Sequence, residues 1–200
     1  ALAYVAAALP LYRAEGDSVG EARMLANMGT SYRALGRADS ALASYAAALR
    51  LRRALGDSAA AGAVLNRMGS VFWATGAPDS ALAYHRAALR LARAAGDRRE
   101  EASALNNVAA VYADIGGADS ALAYHARALA LRRAAGDRAG EGATLANIGA
   151  VFNRVGRPDS ALAYYARALP LRRAAGDRAG EAVTLHNIGV VHGDAGDWAR

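Results

Sequence analysis

Apolar positions recur along this chain with the spacing of one buried helical stripe. In the clearest stretch they fall at Leu145, Ile148 and Phe152, then at Ala161, Leu162, Tyr165, Ala168, Leu169 and Leu171. Intervals of three, four and seven residues place side chains on one face of a helix, whereas a half-buried strand would alternate every second residue. Two amphipathic helices are therefore predicted, with a polar break between them. The same pair returns along the chain. Asp-Ser-Ala-Leu-Ala begins at Asp39, Asp79, Asp119 and Asp159, 40 residues apart, and Ala1-Leu2-Ala3 reads as the tail of one more copy. The 200 residues divide into five periods that start inside a second helix and finish after a first helix. A single stripe per helix cannot be buried by one pair alone, so stacked pairs forming a solenoid are expected.

The polar breaks carry helix stop and start signals. Gly36, Gly76, Gly116, Gly156 and Gly196 follow the first helix, and Gly16, Gly56, Gly96, Gly136 and Gly176 follow the second. Glycine closes a helix in the left-handed conformation without a Cβ penalty. Pro78 and Pro158 suit the first turn of the next helix, and the aspartate after each second-series glycine suits an N-cap. Gly29, Gly69, Ala109, Gly149 and Gly189 recur in mid-helix, where glycine costs about 1 kcal/mol relative to alanine. That repeated cost predicts close helix approach there, with Ala8, Ala48, Ala88, Ala128 and Ala168 as the opposing surface.

Leu145, Ile148-Gly149, Phe152, Gly156, Ala161, Tyr165 and Ala168 resemble the signature of the tetratricopeptide repeat (TPR) family. The unit is longer than that family's usual length of about 34 residues. In this it resembles the long-repeat branch of kinesin light chains, spindle-orientation adaptors and bacterial signalling proteins. The resemblance implies an all-α fold, a right-handed α-solenoid of stacked antiparallel helix pairs (a TPR-like superhelix), spanning 1–200 as one domain. It also implies a non-catalytic scaffold that binds proteins or extended peptides, with first helices lining a concave groove.

An asparagine on the first helix holds peptide backbone in such arrays, and the matching positions are Asn27, Arg67, Asn107, Asn147 and Asn187. A carboxamide both donates and accepts, as a peptide main chain does. Asn66 and Asn106, one residue earlier, are expected to face the same groove, as is Arg154. Trp73 replaces Arg33, Ala113 and Asn153 of other copies and is a candidate anchor. Family members that bind chaperone tails clamp a C-terminal carboxylate with first-helix cations. This chain has no lysine, and Arg23 and Arg67 do not rebuild such a clamp, so none is expected. The alternative function is structural, with copies stacking head to tail through the half-unit ends.

Composition narrows these readings. No apolar run approaches the roughly 18 residues of a membrane span. The absence of cysteine excludes disulfides and thiol chemistry and fits a cytoplasmic setting. Net charge is +6, carried by arginine alone. Arg52, Arg93, Arg132 and Arg172 fall near second-helix ends, where the helix dipole favours cations, so nucleic acid is not the expected partner. His85 and His125 occupy the slot of Tyr45 and Tyr165, and a metal would need them far closer than the about 10 Å between packed helices. No cofactor, metal or catalytic site is expected. Ser40, Ser80, Ser120 and Ser160 recur with the period and are assigned to helix starts.

Overall fold

The computed structural model describes residues 2–194, and within them every regular element is an α-helix. These are α1 (Leu2–Ala14), α2 (Ser18–Ala34), α3 (Ala38–Ala54), α4 (Ser58–Ala74) and α5 (Pro78–Ala95). They continue as α6 (Arg98–Asp114), α7 (Ala118–Ala134), α8 (Arg138–Arg154), α9 (Pro158–Ala174) and α10 (Arg178–Asp194). Ala1 and the expected stop at Gly196 lie outside the described residues. Two compact units divide within α6: residues 1–108 and residues 109–200.

One device punctuates every junction from a second helix to the next first helix. Gly16, Gly56, Gly96, Gly136 and Gly176 all take positive φ, between 65° and 68°. The following residue's N–H then reaches back five residues, as from Asp57 to the Arg52 carbonyl at 2.9 Å, closing the helix in a Schellman turn. The same aspartate caps the next helix. Asp17, Asp57, Asp97, Asp137 and Asp177 accept from the backbone N–H three residues on at 2.8–3.0 Å. At Asp177 the Gly180 N–H, aided by Arg172, holds the carboxyl below its ordinary range. The second helices start differently. Arg37, Ala77, Gly117 and Arg157 make no side-chain cap, and Pro78 or Pro158 supplies a ready-set φ in two of the four cases.

The predicted stripes are the core. In the second unit Leu145, Ile148, Ala161, Tyr165 and Ala168 are buried together, with Phe152, Leu162 and Leu171 packed at the margin. Burying a side chain such as Leu145 stabilises by about 1.5–3 kcal/mol. In the three pairs α4–α5, α6–α7 and α8–α9 an aromatic of the first helix stacks on a tyrosine of the second, whereas α3 carries Ser44 in that slot. Phe72 with Tyr84 and Phe152 with Tyr164 have ring centroids 5.0 and 5.3 Å apart.

The mid-helix glycines mark close approach at Gly29, Gly69 and Gly149 but not at Gly189, and the opposing surface differs from the expected one. A Cβ at Gly29 or Gly149 would lie 2.6 or 2.7 Å from the ring of Tyr45 or Tyr165. The second-helix alanines meet other glycines: the Ala88 and Ala168 carbonyls lie 3.5 and 3.3 Å from where a Cβ would stand on Gly62 and Gly142. Helices of a pair run antiparallel. The contact of a residue early in the second helix therefore falls late in the first, and that of a later residue falls earlier.

Candidate functional site

The first-helix polar positions divide by environment. In the first unit, Asn27 is exposed beside the buried Ala26, Arg67 is exposed between the buried Asn66 and Met68, and Asn107 is half-buried. In the second unit, Asn147 and Asn187 are half-buried. Asn187 hydrogen-bonds Tyr165, whose phenol is nevertheless pushed above its ordinary value by burial.

Asn66 does not face outward as expected. Its side chain is buried, because one residue along a helix is a rotation of 100° and turns it from the face of Arg67 toward the neighbouring helices. It is the hub of a polar network. Its Nδ2 donates to Glu100 Oε1 at 2.8 Å, and its Oδ1 accepts from Asn107 Nδ2 at 3.0 Å and lies 2.6 Å from His85 Nδ1. Since the carboxamide oxygen can only accept, His85 carries its proton on Nδ1. Its Nε2 is buried without a partner, and burial lowers its pKa to about 4. Glu100 is raised, chiefly by burial, against the Asn66 bond and the attraction of Arg67. Asn107 is thus partly engaged inside the fold, and Asn106 is half-buried.

Trp73 is 41% exposed near the end of α4, as an anchor would need to be. Arg154 is also exposed, but its guanidinium reaches the Ala113 carbonyl and the Asp114 carboxylate, the latter at 2.8 Å, and so ties α8 to the end of α6.

One concave feature gathers several of these residues. A cavity of about 150 Å³ lies between α2 and α4, lined by Arg23, Asn27, Arg52 and Arg67 with Ala63 and Val64 among its apolar walls. Arg52 was assigned above to a helix end alone. Its side chain is only 13% exposed, with Nη1 bonded to Asp57 Oδ2 at 2.9 Å and Nη2 3.4 Å from the Val19 carbonyl. The signal for it was weak, because its slot is occupied by Tyr12, Ala92, Arg132 and Arg172 in other periods.

Most second-helix arginines do more than complement a dipole. Arg13, Arg93, Arg133 and Arg173 pair through Nε with Glu21, Glu101, Glu141 and Glu181, eight residues on, at 2.6–2.9 Å. Each clasps the start of the following first helix and neutralises charge that a nucleic acid would need. His85 and His125 fill the aromatic slot, both buried. Among the described residues no three metal-ligating side chains converge, and no helix is long and apolar enough to cross a membrane.

No curated protein sequence matches the chain. Solved structures do. BtubC (BKLC) from P. vanneervenii is 21% identical over 98% of this chain and 84% of its own, with a TM-score of 0.82. A Rap protein complexed with Competence and Sporulation Factor matches at 15% identity over 90% of this chain, with a TM-score of 0.81. The Rap conjugation gene regulator of plasmid pLS20, in complex with the Phr* peptide, matches at 16% identity over 94%, with a TM-score of 0.78. The chain spans about half the length of these two Rap proteins, 51% and 52%. At such identities the likeness establishes the fold, an all-α TPR-like solenoid. The tetratricopeptide repeat profile itself matches residues 21–94, 60–134, 100–174 and 140–200, and the chain belongs to the tetratricopeptide repeat family.

Proposed function

We propose that the chain is a non-catalytic protein- or peptide-binding scaffold, one array of five periods serving as sensor or adaptor of a larger bacterial, cytoplasmic signalling protein. Its ligand lies along the first helices, the concave face of arrays in this family. The observation that carries this reading is the exposure of Asn27 and Arg67 at one repeat position while the stripe around them is buried. The two Rap proteins are in complex with a factor and with a peptide, which supports a peptide or protein partner. In the first unit Asn106 and Trp73 belong to the proposed face as well, with Asn66 and Asn107 supporting it from within, and in the second unit Asn147, Asn187 and Arg154 form the equivalent face.

Asn27 tests the face cleanly because it is exposed. Peptides selected from a random phage-displayed library should bind N27A about tenfold more weakly, the loss of one or two hydrogen bonds, with an unchanged melting temperature. A crosslinking footprint confined to the second helices would overturn the reading.

A second reading, self-assembly, is favoured by one observation. Leu185 is 44% exposed, whereas its repeat equivalents Leu25, Leu65, Leu105 and Leu145 are buried. A second-helix segment of another copy can cover it, giving a head-to-tail contact. Sedimentation velocity should then show a mass that grows with concentration in the wild type and not in L185E. A monomer throughout removes this reading and leaves the first standing.

A further inference from the structure

The cavity between α2 and α4 has the makings of a site for an anionic group. Its polar lining is three guanidiniums and one carboxamide, with no carboxylate among the lining residues. Two of those guanidiniums are not demanded by the repeat. The periods that align with Arg23 carry Ala63, Ser103, Ala143 and Val183, and those that align with Arg67 carry Asn27, Asn107, Asn147 and Asn187. Both departures nevertheless converge on one cavity. Arg23 lies on α2 and Arg67 on α4, one period and four residues apart, so they sit one helical turn from the same level on successive first helices. Clustering like charges is unfavourable unless something offsets it. A solvated, repeat-conforming surface would have spread them.

The third cation is held in place. Arg52 is largely buried and anchored by Asp57, so its orientation is set before any ligand arrives. Arg23 enters no ion pair among the described residues, and Arg67 has the half-buried Glu100 as its nearby countercharge. Asp57 and Glu100 thus offset two of the three positive charges. What remains uncompensated is close to one charge, which suits a monoanion better than a dianionic phosphate. Guanidinium forks match a carboxylate geometrically, two N–H groups to two oxygens. Space is sufficient, since a cavity of about 150 Å³ can hold a group as large as benzene. No aromatic side chain lines the cavity, so it offers a nucleobase nothing to stack on.

We infer that this pocket, formed by Arg23, Asn27, Arg52 and Arg67, receives the side-chain carboxylate of an aspartate or glutamate in a bound peptide, and so makes the scaffold selective for acidic partners. The inference rests on the peptide-binding reading above and adds the ligand's chemistry to it. The alkyl part of the acidic side chain lies against Ala63 and Val64, and Asn27 is placed to bond the adjacent peptide backbone.

The test uses hexaglutamate and hexaglutamine peptides blocked at both ends, so that only side chains differ. In NMR titrations of the full chain, the Nε–H signals of Arg23 and Arg67 should shift with hexaglutamate and not with hexaglutamine. The double variant R23A/R67N, which installs residues other periods already carry, should bind hexaglutamate about tenfold more weakly or worse. R50A/R90A removes the same charge from exposed second-helix positions and should stay within about twofold of wild type. An equal loss in R50A/R90A would reduce the effect to net charge and overturn the pocket. So would competition by inorganic phosphate stronger than by acetate, or binding only to peptides with an unblocked C-terminus. If library-selected peptides contact the first helices but ignore R23A/R67N, the pocket fails and the scaffold survives. If they footprint only on the second helices, the scaffold reading itself fails.

Discussion

Between about pH 7.5 and pH 5 the chain is expected to lose roughly 4 kcal/mol of stability through two histidines. Burial lowers the pKa of His85 and of His125 to about 4 from the ordinary histidine value of about 6.5, with Arg132 adding to the effect at His125. Each is therefore neutral in the folded chain at pH 5 but largely protonated once unfolded. Well above pH 6.5 neither state takes up the proton and no penalty exists. As pH falls below that value the unfolded state binds more protons, and stability falls by about 1.4 kcal/mol per pH unit for each histidine until about pH 4. Glu100 acts in the opposite sense. Its folded-state pKa is raised, chiefly by burial, so protonation in acid relieves a buried charge. Urea midpoints across this range should fall steeply for wild type. They should fall much less for H85Q/H125Q, whose side chains fill similar volume and do not titrate. Parallel pH profiles for the two proteins would show that these histidines are not held neutral by the fold. A loss of this size matters against a typical net stability of about 5–15 kcal/mol.

The same histidines show what could and could not be read from the sequence. Their slot was legible, because Tyr45 and Tyr165 stand one period away and a periodic stripe predicts burial of whatever occupies it. Helix ends were legible for a related reason: glycine at positive φ and aspartate at the N-cap act within about five residues and need no tertiary information. Contacts between departures from the repeat were not legible. Asn66, Glu100 and Asn107 are each a local variant of the period, and nothing along the chain says that they meet. Glu100 stands where Gly140 and Gly180 occur, in junctions where Arg132 or Arg172 crosses the helix start. With Ala92 in place of that arginine the crossing is absent, and a carboxylate occupies the position instead. Arg23, Arg52 and Arg67 are the same kind of case. The period supplies each address, and only packing shows that three addresses share one cavity. Whether a repeat position is structural or functional therefore turns on what its departures touch.

One substitution placed at equivalent positions should change sign along the chain. Alanine for Gly149 is expected to destabilise by about 1–2 kcal/mol net, and alanine for Gly189 to stabilise by up to about 1 kcal/mol. Propensity favours alanine equally at both, since glycine in a helix interior loses more backbone entropy. The difference lies in what the new methyl meets. At Gly149 it would stand 2.7 Å from Tyr165 Cε1 and 2.8 Å from Cδ1, and Tyr165 is 1% exposed, so the ring has nowhere to retreat. Gly29 repeats the case with Tyr45, at 2.6 Å from a ring that is fully buried. At Gly189 nothing lies within 4 Å, because no second helix among the described residues packs over that side of α10. Overpacking thus outweighs propensity at Gly29 and Gly149, while propensity acts alone at Gly189. Urea midpoints of G29A, G149A and G189A give the answer directly. Equal shifts at all three would mean that the tyrosine contacts do not limit helix approach. In a self-associating chain G189A has a further use. If another copy's helix covers that side of α10, the added methyl would oppose the contact, and its stabilising effect would shrink as concentration rises.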